Sequence, residues 1–114
     1  MPAQGDIVLV PVPFTDLSSQ KRRPVIVVSH DQYHRTYAAF VGVAMTSQPV
    51  PAAYGFTISS ADLSAGRLNR PGQVRADKVY TLAQSIIVHR VGRVRDQVLD
   101  RIRDLVRDLL SVKP

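Results

Sequence analysis

Pro24 is followed by four uninterrupted β-branched residues, Val25, Ile26, Val27 and Val28, and this run limits the fold more than any other stretch of the chain. Proline disfavours the helical region for the residue before it and cannot donate to a sheet ladder, so it belongs at the mouth of a strand. An unbroken run of β-branched residues, rather than an alternating one, implies burial on both faces. The strand is therefore expected to cross the middle of its domain. Lys21, Arg22 and Arg23 lead straight into it. A guanidinium held at the mouth of such a strand suits a phosphate, which its planar fork can grip with two parallel hydrogen bonds. A solvated basic turn would read the same way, and the stretch alone leaves both open.

Other strands flank this one. GDIVLV (5–10) is a short strand, stopped or confined to a sheet edge by Pro11 and Pro13. The connection from Pro11 to Arg23 is long for a hairpin and rich in turn formers, and is expected to cover an active face. HDQYHRTY (30–37) reads as a turn or a single helical turn, and AAFVGVAM (38–45) as an apolar strand whose Gly42 either eases a bend or lets a backbone approach closely. That strand surfaces at Thr46 and Ser47. GFTIS (55–59) is a weaker strand, and SADLSAGRLNRPG (60–72) an irregular or briefly helical loop closed by Pro71 and Gly72. QVRADKVYTL (73–82) alternates in part and breaks near Asp77; SIIVHRVGRV (85–94) is a further strand. Five to seven short strands with no helix between them argue for a small antiparallel barrel over 5–94 and against a βαβ fold.

Only the tail has helical periodicity. With Asp96 as N-cap, Val98, Leu99, Ile102, Leu105, Val106, Leu109 and Leu110 share one face of a helix over 96–110. Asp100 with Arg103 and Asp104 with Arg107 make i, i+3 pairs on the other face. Such a helix caps the barrel or packs on a partner subunit; a membrane-surface helix would carry a cationic face, and this one is balanced.

At 114 residues the chain is expected to form one domain, 1–114. No run approaches the ~20 apolar residues of a membrane span, and no basic region opens the N-terminus, so a cytoplasmic protein is expected. The absence of cysteine excludes disulfides, thiolate nucleophiles and Cys-based zinc sites. Net charge is +6, unevenly spread. Residues 1–94 hold ten Lys/Arg against five Asp, whereas 95–108 hold four of each. A basic body beside a neutral tail favours a polyanion, with nucleic acid ahead of an acidic protein surface or membrane.

Several constellations carry no chemistry. His30 and His34 stand four apart, as in a helical metal site, but no Glu adjoins the first and no third ligand is recognisable, so no metal site is expected. His89 lies within an apolar strand, where a packed core histidine is the expectation. No phosphate-binding glycine loop or nucleophile elbow is present. Of the tyrosines, Tyr54 and Tyr80 flank loops and are candidates to stack on bases.

What remains is a set of groups on separate strand ends: Arg23; Thr46 with Ser47; Arg75 with Asp77. Residues 75 and 77 point to the same face of a regular strand, where a carboxylate beside a guanidinium would by itself read as an ion pair. Metal-free RNA cleavage needs an acceptor for the 2′-hydroxyl proton, donors for charge growing on the phosphoryl oxygens, and a proton or cation for the departing 5′-oxygen. Asp77, Arg23 and Arg75 supply those types, and the 2′-hydroxyl is itself the nucleophile. Lys21, Arg22, Arg67, Arg70 and Lys78 would hold the remaining phosphates.

In this order and spacing GDIVLV, RRPVIVVS, VGVAMTS, VRADKVYTL and VHRVGRV ahead of an amphipathic helix resemble the MazF/PemK-type toxins, the ribonuclease half of type II toxin–antitoxin pairs. The resemblance covers essentially the whole chain. It implies an SH3-like β-barrel, a homodimer, and sequence-selective cleavage of single-stranded RNA with neither metal nor cofactor, leaving a 2′,3′-cyclic phosphate and a 5′-hydroxyl. It also implies a MazE-like antitoxin partner whose C-terminal segment covers the RNA groove. Arg23 matches the arginine directly before the proline, Thr46 the threonine of the TS pair, and Arg75 and Asp77 the Arg/Asp pair that some members use as acid and base. The first loop departs from the pattern: DLSSQKRR has neither His nor Glu, so Lys21 or Arg22 would have to stand in electrostatically. Two rivals share these residues, a noncatalytic nucleic-acid-binding barrel and an inactive toxin that keeps the antitoxin groove.

Overall fold

The computed structural model describes residues 1–11, 21–48 and 53–114; most of the long first connection, expected to cover the active face, lies outside them. The strands are β1 (Asp6–Pro11), β2 (Arg22–Val27), β3 (Ala39–Thr46), β4 (Gly55–Ile58), β5 (Leu63–Gly66), β6 (Gly72–Ala83) and β7 (His89–Val94), with helices α1 (Asp31–Thr36) and α2 (Asp96–Leu109). They form one curled antiparallel sheet in the order β4-β6-β3-β2-β1-β7-β5, a half-barrel in keeping with the small antiparallel barrel expected of the chain. The two ends of that row, β4 and β5, are consecutive in sequence and joined through a 3-10 turn at Ser60–Asp62, which bends the sheet round on itself.

β2 is the fourth strand of seven, and its β-branched run is explained by burial on both faces. Ile26 points into the larger core with Ile7, Val43, Met45, Ile58, Val74 and Val94. Val25 and Val27 point into a second cluster with Val8, Val10 and Phe40, roofed by Leu82, Ile86 and Ile87. The alternation of a strand is intact, but both sides are apolar. Pro24 pairs with Leu9 of β1. The ladder to β3 begins only at Val25, so the missing N–H removes no bond there, and Arg22 and Arg23 project past β3 while pairing with β1 alone. Of the two roles open to Gly42, the structure takes close approach: a Cβ there would meet the Val25 side chain and lie 2.9 Å from the Ile26 carbonyl.

α2 closes the larger core with Val98, Leu99 and Ile102; truncating Ile102 to alanine would cost about 2–5 kcal/mol. Arg101 lies over the Phe56 ring at 4.1 Å, and the Tyr54 hydroxyl donates to Asp108 at 2.8 Å, tying the helix to the β4 side of the sheet.

Several expectations are corrected. The 60–72 segment contains a strand, β5, whose single buried residue, Leu63, gives almost no periodic signal. β7 starts at His89 because a 3-10 turn, Gln84–Ile86, takes the preceding residues. There the Gln84 side chain reaches the carbonyls of His34, Tyr37 and Ala39. His89 is exposed rather than packed, since the strand turns its side chain outward. Arg95, not Asp96, is the N-cap, making no side-chain cap bond; Asp96 sits in the first turn, where its charge complements the helix dipole. The Asp100–Arg103 bridge forms at 2.7 Å, but Asp104 and Arg107 form none.

Candidate active site

Three strands meet beside the mouth of β2. β2 brings Arg23, exposed and opposite Val10. β3 brings Thr46, whose Oγ1 accepts from the Gln48 N–H at 3.2 Å. β6 brings Arg75, paired with Ala44 on one side and Gly55 on the other. Just beyond Arg75 the β3–β6 register jumps: Ala44 faces Arg75 but Val43 faces Val79, so Ala76, Asp77 and Lys78 have no β3 partner. Ala76 instead donates its N–H to the Tyr54 carbonyl at 2.9 Å and buries its methyl. This is the break expected near Asp77, a bulge that re-aims the side chains around it.

Within the bulge, Asp77 accepts a bidentate pair from Arg75: Nε to Oδ1 at 2.9 Å and Nη2 to Oδ2 at 2.8 Å. The side chains are 17% and 30% exposed. The Arg75 guanidinium holds the Asp77 carboxyl below the usual carboxylate range, and the carboxylate in turn raises Arg75 above its ordinary value. Asp77 is thus a poor base near neutral pH and Arg75 a poor proton donor. Two of the five guanidinium N–H groups are used, leaving three for a ligand.

Arg23, Arg75 and Lys78 line a cleft of about 320 Å³ with Thr46, Gln48 and Tyr80. A second cleft, about 420 Å³, lies on the other side of Arg23 and is walled by Arg22, Ser47, Arg67, Asn69 and Arg70. Both clefts share Arg23, Pro24, Met45 and Thr46, so they form one groove with Arg23 and Thr46 on the ridge between its halves. No carboxylate lines either half among the described residues. Arg22, Arg23, Arg67, Arg70 and Lys78 have no acidic partner there, whereas Arg90 and Arg93 are paired to the buried Asp6.

Most candidates from the sequence thus converge on one groove. Asp77 reaches it only through Arg75, and Lys21 lines neither half. Tyr54 is turned onto α2, its hydroxyl pushed to a higher pKa by Asp108. Gln48 and Asn69 were not singled out in the sequence; the signals available were a polar residue just past the TS pair and an Asn between two arginines in a loop closed by proline and glycine. His30 caps α1, accepting the Tyr33 N–H at Nδ1. His34 is buried with Nε2 2.6 Å from the Ser29 hydroxyl, so the two histidines do not converge. Among the described residues no three His, Cys, Asp or Glu side chains cluster as metal ligands would.

The family model of PemK-like, MazF-like toxins of type II toxin–antitoxin systems matches residues 3–110. No curated protein sequence matches the chain. Among solved structures, the chain is similar to an endoribonuclease in complex with its cognate antitoxin from a mycobacterial species. That match has a TM-score of 0.80 at 18% identity, over 100% of this chain and 99% of the other. A MazE–MazF complex from Deinococcus radiodurans gives 0.78 at 23%, over 98% of each chain. The Mycobacterium tuberculosis toxin MazF-mt6 gives 0.74 at 15%, over 96% and 99%. At such identities the structural likeness speaks for the fold, which agrees with the curled sheet and closing helix described above. The family match spans nearly all of the sequence: the chain belongs to the PemK-like, MazF-like toxins of type II toxin–antitoxin systems.

Proposed function

We propose that this protein is a sequence-selective endoribonuclease toxin that cleaves single-stranded RNA without metal. One observation carries the reading: Arg23, Thr46 and Arg75, from three different strands, line a single cleft that also holds Lys78 and has no carboxylate among its described lining residues. That surroundings suits a phosphodiester whose negative charge grows in the transition state. Arg23 grips the scissile phosphate with its planar fork, and Thr46 donates a neutral hydrogen bond. The 2′-oxygen attacks phosphorus and the bond to the 5′-oxygen breaks, giving a 2′,3′-cyclic phosphate and a 5′-hydroxyl. The 2′-hydroxyl proton leaves to water, and the 5′-oxygen regains one from water. Arg75, oriented by Asp77, stabilises the charge on the departing oxygen without giving up its proton.

A cognate antitoxin that covers the groove is the natural regulator of such an enzyme, and the cytoplasm, where mRNA is found, its natural location. A second copy of the chain would cover apolar surface at the exposed end of α2, where Leu109 and Leu110 lie outside the core. The test is incubation of the purified protein with a long, mixed-sequence, end-labelled single-stranded RNA in excess EDTA. Shortened fragments ending in a cyclic phosphate are expected; retarded but intact RNA would overturn the enzymatic reading in favour of a binding module.

A further inference from the structure

The two halves of the groove are unlike. Around the first, cations and hydroxyls stand on strand ends. The second has a half-buried apolar floor from Leu9, Leu68 and Val91, with a polar rim supplied by the loop at 67–71. An unstacked base needs such a setting: an apolar surface for its face and a directional group for its edge.

The loop is held from both ends while its polar tips are left unused. Ser60 fixes Leu68 twice, accepting its N–H at 2.8 Å and donating to its carbonyl at 3.1 Å. The Ser60 turn is itself locked by the capping box of Ser59 and Asp62. At the far end, Gly72 is so close to the core that a Cβ would stand 2.8 Å from the Met45 methyl. Beside and between these anchors, the side chains of Arg67, Asn69 and Arg70 make no hydrogen bond or ion pair with any described residue. The Asn69 carboxamide thus offers a donor and an acceptor on a fixed backbone, beside a cleft that shares Arg23 and Thr46 with the reaction site.

Resting on the ribonuclease reading above, we infer that the second half of the groove seats the base on one side of the cut and that Asn69 reads its edge. The loop at 67–71 is then a specificity-determining element, and Arg67 and Arg70 serve the backbone rather than the base.

The experiment uses a randomised single-stranded RNA made uncleavable by 2′-O-methylation, so that base preference is read from binding and does not depend on catalysis. The bound pool is sequenced for the wild type, Asn69→Ala, Asn69→Asp and Ser60→Ala, and affinities are measured for the selected sequence. Asn69→Ala should lose the preference at a single position by roughly tenfold and leave the other positions unchanged. Asn69→Asp, which replaces the donor with an acceptor, should move that position towards bases that offer a donor, cytosine above all. Ser60→Ala, which frees the loop, should blunt the same position and no other. An unchanged motif in Asn69→Ala, or an equal loss of affinity for every sequence, overturns the assignment. Wild type that binds with a defined motif but leaves unmodified RNA intact would remove the ribonuclease reading while still deciding the role of Asn69. Wild type that binds no RNA overturns both.

Discussion

Arg23 and Arg75 stand on one cleft wall, yet they are held in opposite ways. Arg75 is fixed by a carboxylate that takes two of its five donors, and it stands in the β6 ladder just before the bulge that carries that carboxylate. Arg23 has no acidic partner among the described residues; its backbone is fixed instead, by pairing with β1 and by the buried strand that follows. A guanidinium whose fork is already occupied can offer charge but no free bidentate grip along that edge. One whose fork is open can bind a phosphate in full. The difference separates gripping from charge stabilisation, and each can be tested alone.

The largest effect is expected at the open fork. Arg23→Lys keeps the charge and loses the planar geometry, so it should be nearly as damaging as Arg23→Ala, with single-turnover cleavage down ~10² to 10³, or about 2.7–4 kcal/mol. Both variants should melt within a few degrees of wild type, because an exposed side chain with no acidic partner among the described residues contributes little to the fold. Near-wild-type cleavage by the lysine variant would show that Arg23 is only part of a cationic cloud.

A smaller loss belongs to the occupied fork. Asp77→Asn removes the charge that orients Arg75 and should lower kcat by roughly tenfold, with KM little changed, since the loss falls on an interaction made in the transition state. Its pH behaviour follows from the direction of the shift. The folded pKa of Asp77 is lowered, so the pair is intact above the unfolded value of about 3.9 and is lost only as pH falls through the still lower folded value. Arg75 is shifted upward, away from neutrality. Between about pH 5 and 9 the rate should therefore show no bell attributable to this pair; a base limb near pH 6 that disappears in Asp77→Asn would restore Asp77 as the general base.

How far these roles could be read from the sequence differs by kind of signal. β2 was legible because Val25 to Val28 leave no alternation for water to occupy, and its central place followed. α2 was legible because seven apolar positions keep one helical face. β5 was not, because a four-residue strand with one buried side chain has no period to detect. The cleft was half legible: Arg23 and Thr46 stand at strand ends that pattern can locate and the spacing of Arg75 and Asp77 already put them on one face, whereas the three-residue bulge that carries Asp77 left only a break in the pattern. The tie of Tyr54 to α2 was not legible, because its loop neighbours say nothing of Asp108, fifty-four residues away, to which its hydroxyl is bonded. Local pattern reports burial; it does not report which distant side chain a polar atom will find.

The cations of the second cleft are expected to matter less, and in another observable. If Arg67 and Arg70 contact phosphates, each exchange for glutamine should weaken RNA binding uniformly across sequences and reduce the slope of log affinity against log salt by about 0.7, the value for a single strand. Titrations at several salt concentrations measure this directly. An unchanged slope in both variants would remove the second cleft from the path of the RNA.

The smallest effect separates the two hydroxyls at the end of β3. Thr46 lies on the ridge and lines both halves of the groove, while Ser47 lines only the second and is more exposed. A neutral hydroxyl-to-phosphate bond contributes about 0.5–1.5 kcal/mol, so Thr46→Ala should slow single-turnover cleavage by a few-fold up to about tenfold. Thr46→Ser keeps the hydroxyl and should recover most of that loss, which a packing role for the methyl would not allow. Ser47→Ala, remote from Arg75, should change the rate less than Thr46→Ala and act through affinity. If Ser47→Ala instead abolishes cleavage while Thr46→Ala does not, the scissile phosphate lies deeper in the second cleft, and the division of the groove at Arg23 and Thr46 must move with it.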